Sequence, residues 1–312
     1  MPLKHSPKTV KRTISGVLLL DKPFGISSNK ALQIAKRIFS AAKCGHTGTL
    51  DPMATGLLPL CFGEATKFSS LLLGANKTYE ATLRLGFLST TGDAEGEISQ
   101  VLTKTDHPTL SECEQILSRF IGKIMQTPPM YSALKHQGKP LYVYARHGEA
   151  IERPAREISI YAIHIKALTA TELQLVIQCG TGTYIRTLAE DIGKALGYGG
   201  AYLTQLRRTV IDRFDLPQAC TLSALEVMDT DIRDDCLLPI DSLLQAFTAI
   251  TLDELAATHM LQGRIILNPK SSCDLSEGQA VRLYDHQQQF IGLGEIIAEQ
   301  KIAAKRLLAD VQ

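Results

Sequence analysis

The 312-residue chain reads as an α+β protein built on a large mixed sheet, with a small β-rich module toward its C-terminal end. Three observations point there. Strand-like runs at residues 14–20, 77–87, 158–167 and 172–179 are mixed with helical periodicity at 28–39 and 109–122, without the strict alternation of a doubly wound fold. Composition then changes at residues 223–241, where Glu226, Asp229, Asp231, Asp234, Asp235 and Asp241 stand against Arg233 alone. Beyond that stretch GQAVRLYDHQQQFIGLGEII alternates apolar residues with glycine turns, which suits a β-rich module of about sixty residues.

The first strand-like run closes at DKPFGISS, whose proline, glycine and paired serines break regular structure. A helix follows. Ser28 is its expected cap, Ala31, Ile34, Ala35, Ile38 and Phe39 share one face, and Lys30, Lys36 and Arg37 point outward. Gly45 is the expected stop, so that HTGTLDP becomes a loop launched from a helix end. Asp51, preceding Pro52, is biased toward extended backbone. Residues 181–196 read as a strand end turning into a helix.

The longest apolar runs, residues 16–20 and 57–62, fall far short of the roughly 20 residues that cross a bilayer. The basic start, MPLKHSPKTVKRTIS, lacks the apolar stretch of a secretory signal, so cytoplasmic residence is expected. Cysteines 44, 61, 113, 179, 220, 236 and 273 are scattered without metal-ligand spacing and read as reduced, structural thiols. Cys44, beside the glycine-rich stretch, reads as a small buried hydrophobe and not as a nucleophile. Total charge is balanced, 33 Lys and Arg against 32 Asp and Glu. Its distribution is not: Lys4, Lys8, Lys11, Arg12, Lys22, Lys30, Lys36, Arg37 and Lys43 face only Asp21 within the first fifty residues, a surplus that attracts phosphates.

The segment CGHTGTLDPMATGLLPLCFGEATK, residues 44–67, sets one carboxylate, Asp51, among glycines, threonines and apolar residues. Taken singly, Asp51 before Pro52 is a turn starter, His46 a loop hydrogen-bonder, and Tyr79 and Leu206 core residues. Tyr184 and Arg186 would be the anchor of a surface ion pair. The glycine-rich stretch also lacks the Gly-Lys-Ser/Thr ending of a nucleotide-binding loop. The ordered company of the segment changes these readings: GVLLLDKPFGISS precedes it, and KTYEATLRLG, TPPMYSALKHQGKPLYVYAR, GTYIRTLAEDIG and GAYLTQLRRT follow. Together the six blocks resemble the TruB family of bacterial tRNA pseudouridine synthases over about residues 16–209. A weaker likeness continues into a C-terminal module that resembles a PUA domain.

This resemblance implies the pseudouridine synthase fold, with a mostly antiparallel sheet flanked by helices. It implies a catalytic domain over residues 1–245, an RNA-gripping insertion at about 125–150, and a PUA-like RNA-binding domain over 246–312. Asp51 would be the catalytic aspartate that isomerises uridine 55 of the tRNA T loop on a flipped-out nucleotide, with no cofactor, metal or guide RNA, in a monomer. By motif position, Arg186 pairs with Asp51, and His46, Tyr79, Tyr184 and Leu206 contact the substrate, Tyr79 also counting among the catalytic residues. Lys22 and Pro23 match the family's early Lys-Pro motif, whose role is mainly structural.

The chemistry suits these residue types. Asp51 must be ionised to attack carbon or to take a proton, yet a water-excluding pocket raises a carboxylate's pKa. Arg186, holding both oxygens, would offset that through charge-assisted bonds of about 1.5 to 3 kcal/mol. Sugar chemistry at an anomeric carbon usually needs two carboxyls. In an isomerisation the uracil departs as a delocalised anion, stays in the pocket and rejoins through carbon, so a solitary aspartate suffices. Extruding a stacked base costs about a few kcal/mol, and stacking on an aromatic face such as Tyr79 returns roughly 1 to 3 kcal/mol.

Residues 128–146 interleave Lys135, His136, Lys139 and Arg146 with Tyr131, Tyr142 and Tyr144, a composition suited to RNA. Gly138 and Gly148 would let this segment move until RNA orders it. From Thr251 onward six Lys or Arg meet eight Asp or Glu, so RNA binding by the C-terminal module rests on analogy alone. Two other functions compete: a tRNA folding helper in which modification is incidental, and the guide-RNA-dependent synthase of the related ribonucleoprotein family. Asp51, Tyr79 and Arg186 together favour catalysis, and the basic aromatic insertion without a Lys-rich tail favours a protein that acts alone on tRNA.

Overall fold

A computed structural model describes residues 11–104, 106–269 and 275–309. Lys4, Lys8 and Cys273 lie outside the described residues. The two longest apolar runs become neighbouring strands, Gly16–Lys22 and Thr55–Phe62, paired antiparallel with Leu20 opposite Leu58. Both are apolar at nearly every position because both faces are covered. Leu18 and Leu20 point into one core with Leu58, Leu60 and Phe62, while Val17 and Leu19 point into another with Leu57 and Cys61.

Among the described residues an eleven-stranded sheet extends from that pair, eight of its strands in the order Cys220–Thr221, Gly16–Lys22, Thr55–Phe62, Ala201–Ile211, Lys77–Leu85, Glu172–Cys179, Arg156–Leu168 and Gly122–Gln126, with Cys44–His46, Phe214–Asp215 and Leu237–Leu238 paired beside them. Only two of its pairings are parallel, Gly16–Lys22 with Cys220–Thr221 and Thr55–Phe62 with Ala201–Ile211. The sheet is therefore mixed and mostly antiparallel, as expected. Helices Ser28–Ile38, Leu110–Leu117 and Ile185–Ala195 cover one face, burying Ala31, Ala35, Cys113, Leu188 and Ile192 against it. Thr109 and Glu112 start the middle helix with a reciprocal capping box.

Two local expectations are corrected. The first helix is capped by Ser27, which accepts from the Lys30 N–H; Ser28 is the first helical residue and its hydroxyl is used elsewhere. The helix ends at Ile38, and Ser40, in the left-handed region at φ 51°, turns the chain five residues before Gly45. Phe39, the residue just past this end, packs on Phe62 with ring centroids 5.0 Å apart. Gly45 instead lies in a short strand, Cys44–His46, paired with Thr55–Phe62, so the Asp51 loop leaves a strand and not a helix.

The acidic stretch at 223–241 packs onto the large sheet and the first helix. Leu237–Leu238 pairs with Gly16–Lys22, and Arg233 donates to the Ile38 carbonyl at 2.7 Å. A separate five-stranded sheet begins at Thr248–Thr251 and runs on through Ala280–Tyr284, Phe290–Ile297, Lys301–Leu307 and Ile266–Leu267. It has its own core of Ile250, Met260, Val281, Leu283, Ile291, Ile296 and Ile302. Leu293 and Phe290 also pack against Phe68, Leu72 and Leu244, closing the second face of the large sheet. Among the described residues no helix is long and apolar enough to cross a membrane. Burial pushes the Cys44 thiol up to about 12, which keeps it protonated and inert.

Candidate active site

Asp51 sits on the loop between Cys44–His46 and Thr55–Phe62, and three buried side chains fix the shape of that loop by gripping backbone. The Ser28 hydroxyl accepts from the Leu50 N–H at 2.7 Å and donates to the Leu50 carbonyl at 2.9 Å. The Lys22 ammonium, with no solvent exposure, donates to the carbonyls of Ile26, Pro23 and Pro52 at 2.7, 2.9 and 3.3 Å. Arg208, equally buried, donates to the carbonyls of Leu57 at 2.8 Å and Gly48 at 3.3 Å. The residues on both sides of Asp51 are thereby tied to the first helix, the Lys-Pro turn and the central sheet.

Arg186, in the first turn of Ile185–Ala195, meets this loop from the other side. Its Nε donates to the Asp51 carboxylate at 3.0 Å, and Asp93 lies 3.7 Å from the same nitrogen. Its other two nitrogens donate to the carbonyls of Thr91 and Tyr131, both at 2.7 Å. The expected grip on both Asp51 oxygens is absent because the rest of the guanidinium is spent on backbone. Arg186 is only 5% exposed, which also removes the alternative of a surface ion pair. Gly92, at φ 78°, allows the close approach: a Cβ there would stand 3.1 Å from the Arg186 Cβ.

Asp51 is not solitary, as sequence reasoning held. Asp93, 2% exposed, flanks the same guanidinium and accepts from the Thr91 hydroxyl at 2.5 Å and the Glu95 N–H at 3.1 Å. Burial pushes the Asp51 carboxyl above its ordinary value of 3.8; Arg186 pulls it back, Asp93 pushes it further and Lys22 pulls it down. Burial likewise raises the phenols of Tyr79 and Tyr184 and lowers the imidazole of His46, where Arg208 acts in the same direction. All three are therefore neutral near pH 7.

Asp51, Arg186, Tyr79, Tyr184 and Leu206 line one cavity of about 190 Å³, together with Thr49, Leu50, Ser132, Ala133, Thr183 and Ile185. That is smaller than the roughly 300–1,000 Å³ of pockets for drug-sized ligands, and it suits a single ring. His46 lies outside it, in an adjoining cavity of about 490 Å³ that shares Asp51, Arg186 and Ser132 and also takes in Tyr142, Arg146, Asp93 and Glu95. Its Nδ1 is buried without a hydrogen-bond partner. Gln126 completes the frame: its side-chain amide donates to the Tyr184 carbonyl at 3.1 Å and accepts from the Tyr184 N–H at 2.8 Å.

Asp93, Gln126, Ser28 and Arg208 were missed as site residues. Asp93 had a signal, an acid in TTGDAEGE, whose glycines mark a loop. The others reach the site through contacts between residues as far apart as 58 and 160 positions, which no local pattern carries. The insertion folds as a small hairpin, Lys135–His136 with Lys139–Pro140, and a helix, Leu141–Arg146. Tyr144 donates to the His136 carbonyl at 3.1 Å, and the Arg146 guanidinium stacks 5.3 Å from the Tyr142 ring.

The mixed sheet flanked by helices, with its small C-terminal β-rich domain, is the pseudouridine synthase fold. A solved H/ACA RNP bound to a substrate RNA containing 2'-deoxyuridine has a chain of this fold, with a TM-score of 0.72, 21% identity, and 95% of this chain and 86% of that one covered. Residues 36–185 match the TruB family pseudouridylate synthase (N terminal domain), 186–245 the tRNA pseudouridylate synthase B C-terminal domain, and 248–308 the pseudouridine synthase II TruB, C-terminal family. A protein of Nitrosospira multiformis called tRNA pseudouridine synthase B is 59% identical over 302 residues, 96% of each chain. One of the same description from Nitrosomonas europaea is 53% identical over 292 residues, 93% of this chain and 95% of its own. The chain belongs to the TruB family.

Proposed function

We propose that the chain converts uridine to pseudouridine in tRNA, at position 55 of the T loop, with Asp51 acting on a nucleotide turned out of its stack. Its relatives are named for tRNA pseudouridine synthesis. The observation that carries the reading is the 3.0 Å pairing of Asp51 with buried Arg186 in the wall of a cavity sized for one ring. Of the two carboxylates beside the guanidinium, Asp51 is 36% exposed and lines the one-ring cavity, while Asp93 is 2% exposed and lies outside it. Attack on carbon and removal of a proton both need the anion, which Arg186 and Lys22 favour against burial and Asp93.

Tyr79 and Tyr184, both neutral, flank the base, and Leu206 closes its side. Stacking of roughly 1 to 3 kcal/mol offsets an extrusion cost of about a few kcal/mol. His46, in the adjoining cavity, fills the gap that the base leaves in the RNA. The detached uracil is retained by the cavity and rejoins through carbon, so no activated water enters. Residues 1–245 act as the catalytic unit, the insertion at about 125–150 grips the T arm, and 246–312 add a PUA-like RNA contact. The protein acts as a monomer in the cytoplasm, without guide RNA. Incubating it alone with an unmodified T-arm hairpin is expected to give pseudouridine at one loop uridine. No product would overturn the function, and product only with added guide RNA would overturn the stand-alone reading.

A further inference from the structure

Resting on the function proposed above, we infer that Ser132 determines specificity for the target base: its hydroxyl donates a hydrogen bond to a ring carbonyl of the uracil in the Asp51 cavity. Ser132 is 4% exposed, and its Oγ is buried without a hydrogen-bond partner. Buried hydroxyls are nearly always paired, and an unpaired one is costly unless a ligand completes it. The hydroxyl lies beside the Tyr184 phenol without reaching hydrogen-bond geometry.

The backbone holds Ser132 in this position. Its N–H donates to the Met130 carbonyl at 2.9 Å, its carbonyl accepts from the Tyr142 N–H at 3.1 Å, and the carbonyl of the preceding Tyr131 is held by Arg186 at 2.7 Å. The residue lines both the one-ring cavity and its neighbour, on the side of the insertion that faces Asp51. Two neighbouring sets of donors are engaged. Arg186 gives Nε to Asp51 and its remaining nitrogens to backbone, and the Tyr184 N–H is held by Gln126. A uracil that leaves water brings two carbonyls that need donors, and the Ser132 hydroxyl is a buried donor with none of its capacity used. A site that pairs such a group rejects bases that lack it.

Sulfur accepts hydrogen bonds weakly, so thiouridines isolate the contact. Affinity is measured with Asp51→Asn protein, with and without Ser132→Ala, for T-arm hairpins carrying uridine, 2-thiouridine or 4-thiouridine at the target. Ser132→Ala is expected to weaken the uridine hairpin by roughly five- to thirtyfold. One thio substitution should weaken binding to a similar extent when Ser132 is present and by less than about twofold once it is replaced, so that the two losses do not multiply. Losses that multiply for both thiouridines, or undiminished uridine binding by the Ser132→Ala protein, would overturn the inference. Failure of the wild-type protein to isomerise the uridine hairpin would overturn the function and this contact together. Turnover by the wild type with multiplying losses would overturn Ser132 alone.

Discussion

The loop that carries Asp51 and the insertion that covers it are held in opposite ways. Beneath Asp51, Ser28, Lys22 and Arg208 are buried and donate to backbone carbonyls from Pro23 to Leu57. The insertion, in contrast, exposes Lys135, Lys139, Tyr142 and Arg146, and turns at Gln137 and Gly138 with φ 47° and 82°. Arg186 touches both regions, with Nε on Asp51 and a second nitrogen on the Tyr131 carbonyl. The difference teaches that the rigid core places Asp51, while the segment proposed to grip RNA has few buried contacts.

The heaviest test of that division removes the residue common to both. Arg186→Lys keeps a charge but not the fork, leaving Asp51, Asp93 and two carbonyls short of donors. Single-turnover rates are expected to fall by about 100-fold or more, equivalent to roughly 2.7 kcal/mol; a loss below about fivefold would separate Arg186 from the chemistry. Next in size, Ser28→Ala leaves the buried Leu50 N–H and carbonyl unpaired, and the protein should lose about 1 to 3 kcal/mol of unfolding free energy in denaturant. Tyr142→Ala, on the insertion, should leave stability within about 0.5 kcal/mol while weakening tRNA affinity. Equal stability losses for the two variants would erase the contrast.

A smaller effect concerns pH. Because Asp51 is raised above 3.8 in the fold, its proton is held more tightly there than in the unfolded chain. Ionising it costs stability as pH rises through the window between the two values, and activity is lost as pH falls through the raised one. The acid limb of the rate profile should therefore lie above the ordinary carboxylate value. Asp93→Asn removes a neighbouring charge that pushes Asp51 up, so the limb of its residual activity should move to lower pH; movement to higher pH would contradict the assigned role. Smallest and most local, amides of residues 128–150 should gain protection from hydrogen exchange on binding tRNA while those of Thr55–Phe62 do not change. Equal protection of 128–150 with and without tRNA would show that the insertion is already ordered.

Much of the frame is written in local pattern. Two strands apolar on both faces, the amphipathic first helix and the alternating C-terminal hairpin all declare their burial through spacing. Asp51, Arg186, Tyr79, Tyr184 and Leu206 were legible as one set through the order of the six segments, and they line one cavity. Spacing did not say which serine caps the first helix, because Ser27 and Ser28 differ only in what lies across the molecule: solvent for one, Leu50 for the other. Nor did it reveal that Arg186 would divide its donors among Asp51, Thr91 and Tyr131, or that Asp93 would be sealed against it. Those are long-range polar contacts, and they decide the electrostatics of the site.

The most direct measurement compares wild-type and Asp51→Asn protein on unmodified tRNA, with pseudouridine mapped by nucleotide and affinity measured in parallel. Asparagine keeps the shape of the side chain and removes the anion, so tRNA binding should stay within about threefold while pseudouridine at the T-loop uridine disappears. Pseudouridine formed by the Asp51→Asn protein at a rate near that of the wild type would contradict the account.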